Sequence, residues 1–245
     1  MELTVLGSGS SGNCYVIQNS GEAIIIEAGV RFADVKRVLG YDLRKVAACL
    51  VSHEHGDHAG CVADIVESCV PTYASEGTWS ALGISSSFAR TCRHGAAFAC
   101  GGFRVMPFGT NHDAAQPLGF LINHQETGTI LFATDTYYLP CTFDDLSQVM
   151  IECNYVGGVL RDNIRSGAVD GNVARRVRRS HMELGTCIEA LKANDLRRVR
   201  NIILLHVSRN NGDPEYMRRK VIEATGKTVH VASRGLVINI NKEAF

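Results

Sequence analysis

The sequence predicts a layered α/β sandwich. Three observations point there: apolar runs of strand length recur along the chain, segments with helical spacing are interspersed among them, and most connections are short. Strands are expected near 2–6, 14–18, 23–27, 47–51, 103–107, 118–123, 129–133, 148–152, 201–205 and 235–240. Ala47-Ala48-Cys49-Leu50-Val51 is wholly apolar and reads as a buried strand. Phe103-Arg104-Val105-Met106-Pro107 is strand-like, and Thr129-Ile130-Leu131-Phe132-Ala133 and Asn201-Ile202-Ile203-Leu204-Leu205 are again apolar runs. Helices are expected near 31–39, 59–69, 172–179, 183–193 and 214–225. Asp213-Pro214-Glu215 is a good helix start, because Asp caps an otherwise unpaired amide and Pro at the first position has no amide to leave unpaired.

The 245 residues suffice for a sizeable core in one or two domains. No long Pro/Gly/Ser linker, low-complexity segment or convincing repeat divides them, so one continuous domain over 1–245 is expected. No apolar stretch approaches the roughly 20 residues needed to cross a bilayer. Met1-Glu2-Leu3-Thr4 lacks the basic-then-apolar pattern of a secretion signal. The nine cysteines form no CxxC pair, and Cys49, Cys61, Cys69 and Cys153 lie in apolar contexts and read as small core residues. That usage suits a reducing cytoplasm, which is the expected location, better than a disulfide framework.

The chemistry concentrates in His53-Glu54-His55-Gly56-Asp57-His58, between the 47–51 strand and the 59–69 helix. Three imidazoles and the Asp57 carboxylate are ligands for a borderline-soft divalent metal. The segment is not an HExxH protease motif, since position 57 is Asp and the helical i,i+4 pair is missing. In extended chain His53 and His55 share a side, whereas Asp57 and His58 follow a change of direction and can address a second ion. A single catalytic ion keeps a coordination position open, so four donors in six residues ask for two metals. Further donors lie at the ends of other expected strands: His112 within Asn111-His112-Asp113, Asp135 within Thr134-Asp135-Thr136, and His206 after the 201–205 run.

With HxHxDH followed by a lone His, a lone Asp and a last His, the chain resembles the metallo-β-lactamase superfamily over nearly its whole length. Three stretches resemble the YycJ/WalJ group of small nuclease-like hydrolases within it: Leu6-Gly7-Ser8-Gly9-Ser10-Ser11-Gly12-Asn13-Cys14-Tyr15, Ile151-Glu152-Cys153-Asn154-Tyr155 and Leu205-His206-Val207-Ser208-Arg209-Asn210-Asn211. The resemblance implies a four-layer αββα sandwich. It also implies two divalent ions, the first on His53, His55 and His112 and the second on Asp57, His58 and His206. Asp135 would bridge them together with a water or hydroxide. Zn is the first expectation for such donors, and Mn or Fe are compatible. The implied reaction is hydrolysis of a phosphodiester, with DNA or RNA cut from an end. Asp57 would act through its metal, and Ser208 is assigned to substrate binding. The resembled group carries Gly-His-Leu-Ser near Ser180-His181-Met182-Glu183; the match is partial, and His181 is the candidate proton donor to the leaving oxygen. Glu27-Ala28-Gly29 stands where the superfamily usually has Asp-Ala-Gly, which keeps the carboxylate but lengthens it. Glu152 is expected to support a ligand rather than be one. His94, His124 and His230 match no metal position.

Net charge is zero, but unevenly spread. Residues 1–150 hold 8 Lys/Arg against 15 Asp/Glu, a net −7, and residues 151–245 hold 17 against 10, a net +7. Arg161, Arg165, Arg175, Arg176, Arg178 and Arg179 face only Asp162 and Asp170 in their segment. A solvated helix face is one reading; a track for a polyanion is the other, with Arg175, Arg176, Arg178 and Arg179 as substrate-binding residues. The glycine-rich stretch 7–12 resembles a phosphate cradle, but it lacks the P-loop Lys and no helix is expected after it. A tight loop at the metal rim is the favoured role. Three alternatives to a nuclease follow: a small-molecule hydrolase acting on a lactone, thioester or cyclic phosphodiester, a redox diiron protein, and a binding domain. His at position 58 disfavours the diiron site, and a full donor set disfavours the binding domain.

Overall fold

The computed structural model describes residues 1–243. The first sheet contains β1 (Glu2–Gly7), β2 (Cys14–Gln18), β3 (Ala23–Ile26), β4 (Val46–Leu50), β5 (Thr72–Ala74) and β6 (Ala89–Thr91). The second contains β7 (Phe98–Cys100), β8 (Phe103–Gly109), β9 (Leu118–His124), β10 (Gly128–Ala133), β11 (Leu146–Glu152), β12 (Asn201–Leu205) and β13 (Thr228–Val231). The last strand, β14 (Val237–Asn239), returns to the first sheet beside β1, so each sheet has seven strands.

The sheets share one plan. β14, β1, β2 and β3 pair antiparallel, then β3 to β6 run parallel. In the second sheet β7 to β10 pair antiparallel, then β10 to β13 run parallel. Parallel neighbours need crossovers, and these supply most of the helices: α1 (Phe32–Val38), α2 (Gly56–Ala59), α3 (Val62–Glu67), α4 (Glu76–Leu82), α5 (Gly157–Arg165), α6 (Gly171–Ser180), α7 (Leu184–Ala193) and α8 (Pro214–Thr225).

Three apolar layers follow from strand alternation. Leu3, Val5, Tyr15, Ile17, Ile24 and Ile26 point between the sheets, where they meet Phe103, Val105, Phe120, Ile122, Phe132 and Leu205. The intervening Val16, Ile25 and Cys49 pack outward against Phe32 and Val35 of α1, Ile65 of α3 and Trp79 of α4. On the far side Leu131, Val149, Ile202 and Leu204 pack under Leu184 and Leu191 of α7 and Met217 and Val221 of α8. Strands buried on both faces explain why β3, β4 and β12 read as unbroken apolar runs. The result is an αββα sandwich. No helix among the described residues is long and apolar enough to cross a membrane.

The structure corrects four local expectations. The 59–69 helix is two, and it begins earlier: Gly56, Asp57 and His58 already lie in α2. The break after Gly60 arises because Ala28 captures the local backbone, its N–H donating to His58 O and its C=O accepting from Cys61 N, each at 2.7 Å. The 31–39 helix stops at Val38. The 235–240 strand is only Val237–Asn239. Cys69 is exposed, in a left-handed turn (φ 61°) after α3, whereas Cys49, Cys61 and Cys153 are buried. β5, β6 and β7 are three residues each, too short to show a period.

Candidate metal centre

The strand ends carry the donors. β4 delivers His53 and His55, β8 leads to His112, β10 to Asp135 and β12 to His206, while the first turn of α2 presents Asp57 and His58. Three residues at these ends take left-handed backbone that non-glycine residues rarely adopt: Glu27 (φ 68°), Asp135 (φ 44°) and His206 (φ 52°). Such conformations cost of order 1–3 kcal/mol each and persist where surrounding contacts over-determine them.

Donor atoms gather in overlapping clusters. His53 Nε2 lies 3.1 Å from His55 Nδ1, which lies 3.3 Å from His112 Nε2. Asp57 Oδ2 lies 3.5 Å from His58 Nε2 and 3.4 Å from His206 Nε2. Asp135 Oδ2 sits between the groups, 3.4 Å from both His58 Nε2 and His112 Nε2. Tetrahedral ligands about 2.0–2.1 Å from one ion stand about 3.3–3.4 Å apart, so the spacing fits a shared cation in each group. The buried His/Asp clusters are consistent with a dinuclear metal site.

Outer hydrogen bonds set the imidazole orientations. His53 Nδ1 meets Ser52 Oγ at 2.8 Å, His112 Nδ1 donates to Ser180 O at 2.9 Å, and His58 Nδ1 donates to Glu27 Oε2 at 3.0 Å. Each leaves Nε2 toward the cluster. The longer carboxylate of Glu27 therefore reaches His58, and its other oxygen accepts from Ser52 N at 3.1 Å. Burial pushes His53 well below the usual imidazole range and lowers His112. Burial opposes ionisation of Asp135, but His58 and His206 outweigh it and hold the carboxyl well below its usual range. Burial also opposes charge on His58, yet Asp135 and Glu27 outweigh it and draw positive charge to that ring. A bound metal ion would supply that charge in place of a proton.

His181 stacks on His206 (ring centroids 5.2 Å apart) and meets His112 edge-on (5.4 Å). Its Nδ1 lies 2.6 Å from Oε1 of the fully buried Glu152. Glu152 Oε2 accepts from Thr136 N at 2.7 Å and Met182 N at 3.3 Å. Burial works against the His181 proton, but Glu152 more than offsets it and raises the group to about 9.

The other expected residues are more dispersed. Arg175, Arg176, Arg178 and Arg179 are exposed on α6. That helix abuts the centre through its Ser180 carbonyl on His112, and Arg176 Nε donates to Asp113 Oδ2 at 3.0 Å. Ser208 Oγ accepts from Asn211 N at 3.2 Å within its own turn. His124 bonds Glu22, His94 accepts from Gly109 N, and His230 meets Asn201. Asn13 and Asn154 were not singled out from the sequence. Asn13 Oδ1 accepts from Gly9 N at 2.7 Å and its Nδ2 donates to Asp57 O at 3.1 Å, tying the glycine-rich loop to the metal rim. Asn154 Nδ2 donates to His206 O at 2.7 Å, and it holds the strained turn. Both lie in the motif stretches, which was the available signal.

An αββα sandwich with two overlapping His/Asp donor groups at one rim defines a metal-dependent hydrolase of the metallo-β-lactamase type. Residues 23–207 match the Beta-lactamase superfamily domain, and the chain belongs to that family. It is 26% identical over 229 residues to exodeoxyribonuclease WalJ of Streptococcus pneumoniae serotype 2 (strain D39 / NCTC 7466), covering 86% of this chain and 83% of the relative. It is 26% identical over 237 residues to exodeoxyribonuclease YycJ of Bacillus anthracis, covering 90% and 88%. The fold is similar to the metallo-beta-lactamase fold protein YhfI of Bacillus subtilis, with a TM-score of 0.71, 16% identity, and coverage of 97% and 99%.

Proposed function

We propose that this chain is a dinuclear phosphodiesterase that removes nucleotides from the end of a DNA strand. The observation that carries the reading is the Glu152–His181 pair at the edge of the donor clusters, with His181 stacked on His206. A sugar oxygen is a poor leaving group and needs a proton, and a buried carboxylate behind His181 keeps one available. The two relatives named exodeoxyribonucleases support DNA as the polymer.

His53, His55 and His112 would hold one divalent ion and Asp57, His58 and His206 a second, with Asp135 available to both; when bound, such ions would supply Lewis-acid charge and acidify a water. Zn suits these donors, as do Mn and Fe. The chain's own groups do the rest. Glu152 fixes the His181 ring and tautomer through Nδ1, so its other nitrogen is the one that carries the transferable proton. Thr136 N and Met182 N hold Glu152 in place. Ser180 O, Ser52 Oγ and Glu27 hold three ligand imidazoles so that they need not reorganise.

The test is metal-loaded protein incubated with end-labelled single- and double-stranded DNA, the matching RNAs, a chromogenic phosphodiester, and a lactone, a thioester and a cyclic phosphodiester. Mononucleotides released progressively from DNA, by protein carrying close to two divalent ions per chain, are expected. Turnover of lactones, thioesters or cyclic phosphodiesters with intact DNA would replace the reading with a small-molecule hydrolase.

A further inference from the structure

Beside the ligand rim lies a cleft of about 1110 Å³ that the hydrolytic chemistry leaves unused. One wall is the glycine-rich loop, with Gly7, Ser8 and Gly12; the rest includes Arg31, Lys36, Arg209 and Arg234. The cleft adjoins the Asp57–His58–His206 group. Ser8 Oγ accepts the His206 N–H at 2.9 Å, and Arg209 follows His206 by three residues. Gly29, also in the wall, approaches so closely that a Cβ there would meet Asp57 O at 1.7 Å.

The charge of this cleft is organised. Buried Asp34 holds Arg37 at 2.7 Å, Arg31 at 3.2 Å and Arg234 at 3.4 Å, the last from 200 residues away. The cleft wall sets Arg31, Lys36, Arg209 and Arg234 against only Asp34 and Asp64, and Asp34 is shared with Arg37 outside the wall, so the wall keeps net positive charge. The side chains of Arg31 and Arg234 remain 78% and 68% exposed, so each keeps donors for an incoming anion. Guanidinium forks pair with phosphate in two parallel hydrogen bonds. The loop opposite contributes glycine backbone at φ 136° (Gly9) and φ 131° (Gly12), conformations other residues rarely take.

We infer that this cleft binds the phosphate backbone of the single DNA strand leading to the metal centre, with Arg31, Arg209 and Arg234 as phosphate contacts. The inference rests on the nuclease reading. Small-ligand sites span about 300–1,000 Å³, so a cleft slightly larger than that has room for a short stretch of one strand. It lies on the side of Asp57 and His206, whereas the α6 arginines lie on the side of His112.

The experiment measures binding of fluorescent phosphorothioate single strands to metal-loaded protein across a salt series. Arg209→Ser with Arg234→Ser should weaken binding about tenfold and flatten the log–log salt slope by about 1.4, since each single-strand phosphate contact contributes about 0.7. Arg209→Lys with Arg234→Lys should restore most of the slope. Arg197→Ser with Arg198→Ser, an equal loss of charge at the opposite end of β12, should leave binding unchanged. An unaltered slope in the first pair, or an equal fall in the distant pair, overturns the inference. If the first pair lowers the melting temperature, Arg209→Ser alone decides, with an expected fall of about 0.7, because Arg209 does not hold Asp34. Wild-type protein that cleaves DNA while the first pair binds as wild type removes only the cleft assignment. Wild-type protein that neither binds nor cleaves DNA removes the nuclease reading along with it.

Discussion

The two donor groups differ in charge and in what lies behind them. His53, His55 and His112 are three imidazoles, backed by a hydroxyl and a carbonyl. Asp57, His58 and His206 include a carboxylate, and buried Glu27 backs His58. Asp135 serves both. An imidazole triad offers lone pairs without charge, while the second group offers lone pairs and negative charge together. The lesson is electrostatic: the second group carries its own carboxylate for a dication, whereas the first shares Asp135 and otherwise has only the half-exposed Asp113, 3.3 Å from His112 Nε2 and already engaged by Arg176. Stepwise titration of metal-free protein should therefore fill the second group first. The asymmetry continues outward, since the arginine helix borders the first group and the glycine-walled cleft borders the second.

Removing charge from the favoured group should have the largest effect. Asp57→Asn nearly conserves volume, yet it takes away the only carboxylate private to the second group. Phosphodiesterase activity should fall by orders of magnitude, and elemental analysis should show about one ion lost per chain. The fold should survive, because the donors lie at strand ends and the core is apolar. Most activity retained with full metal loading would break the comparison and the role of Asp57 with it.

His181→Ala comes next. General acids contribute about 10²–10⁴-fold, so hydrolysis of a diester with an alkoxide leaving group should fall by that factor. A nitrophenolate leaves without a proton, so its release should change far less. The sign of the pH dependence follows from the proton. His181 must be protonated to donate, so wild-type activity on the alkoxide substrate should decline as pH rises toward about 9. Bound dications nearby favour the neutral ring and move this limb to lower pH. Equal losses on both leaving groups would make His181 a packing residue.

Part of this centre was legible in the sequence and part was not, for physical reasons. The HxHxDH segment is contiguous, so its donors announce themselves. His112, Asp135 and His206 are single residues whose partners lie far along the chain; only their places after apolar runs, and the order of the motifs, marked them. The strained backbone at Glu27, Asp135 and His206 has no sequence signal, because none of them is glycine. The Asp34 cluster was invisible for a different reason: Arg234 reaches Asp34 only because β14 returns to β1. β5, β6 and β7 were missed because a two-residue period needs more than three residues to show. The α2–α3 break depends on Ala28, which no local pattern in 59–69 could reveal.

Glu27→Gln tests the backing of the second group more gently. It retains the length that reaches His58 but removes the negative charge. Loss of such an outer partner typically costs about 10–100-fold in metal affinity, and the loss should fall on the second group alone. Glu27→Asp keeps the charge but shortens the arm of a bond that is 3.0 Å long, so it should weaken the same site. An equal loss in both groups, measured by competition with a chelator, would mean that Glu27 acts through the fold.

The smallest effect concerns the arginine helix, and it asks which side of the centre the substrate follows. If Arg175, Arg176, Arg178 and Arg179 all touched phosphates, Ser at all four would flatten the single-strand salt slope by about 2.8. Arg176 is already engaged by Asp113 at 3.0 Å, so its contribution should be largely absent and the ceiling drops to about 2.1. Metal content must be checked in the same protein, because the Ser180 carbonyl at the end of this helix orients His112. A flattened slope with two ions retained would place substrate along the imidazole side, in addition to the cleft or instead of it. Combining these changes with Arg209→Ser and Arg234→Ser separates those cases. Additive falls mean that the strand touches both borders, as a strand running across the metal centre would. A fall from the cleft variants alone leaves α6 as a solvated face, and the polymer then approaches only past the carboxylate-bearing group.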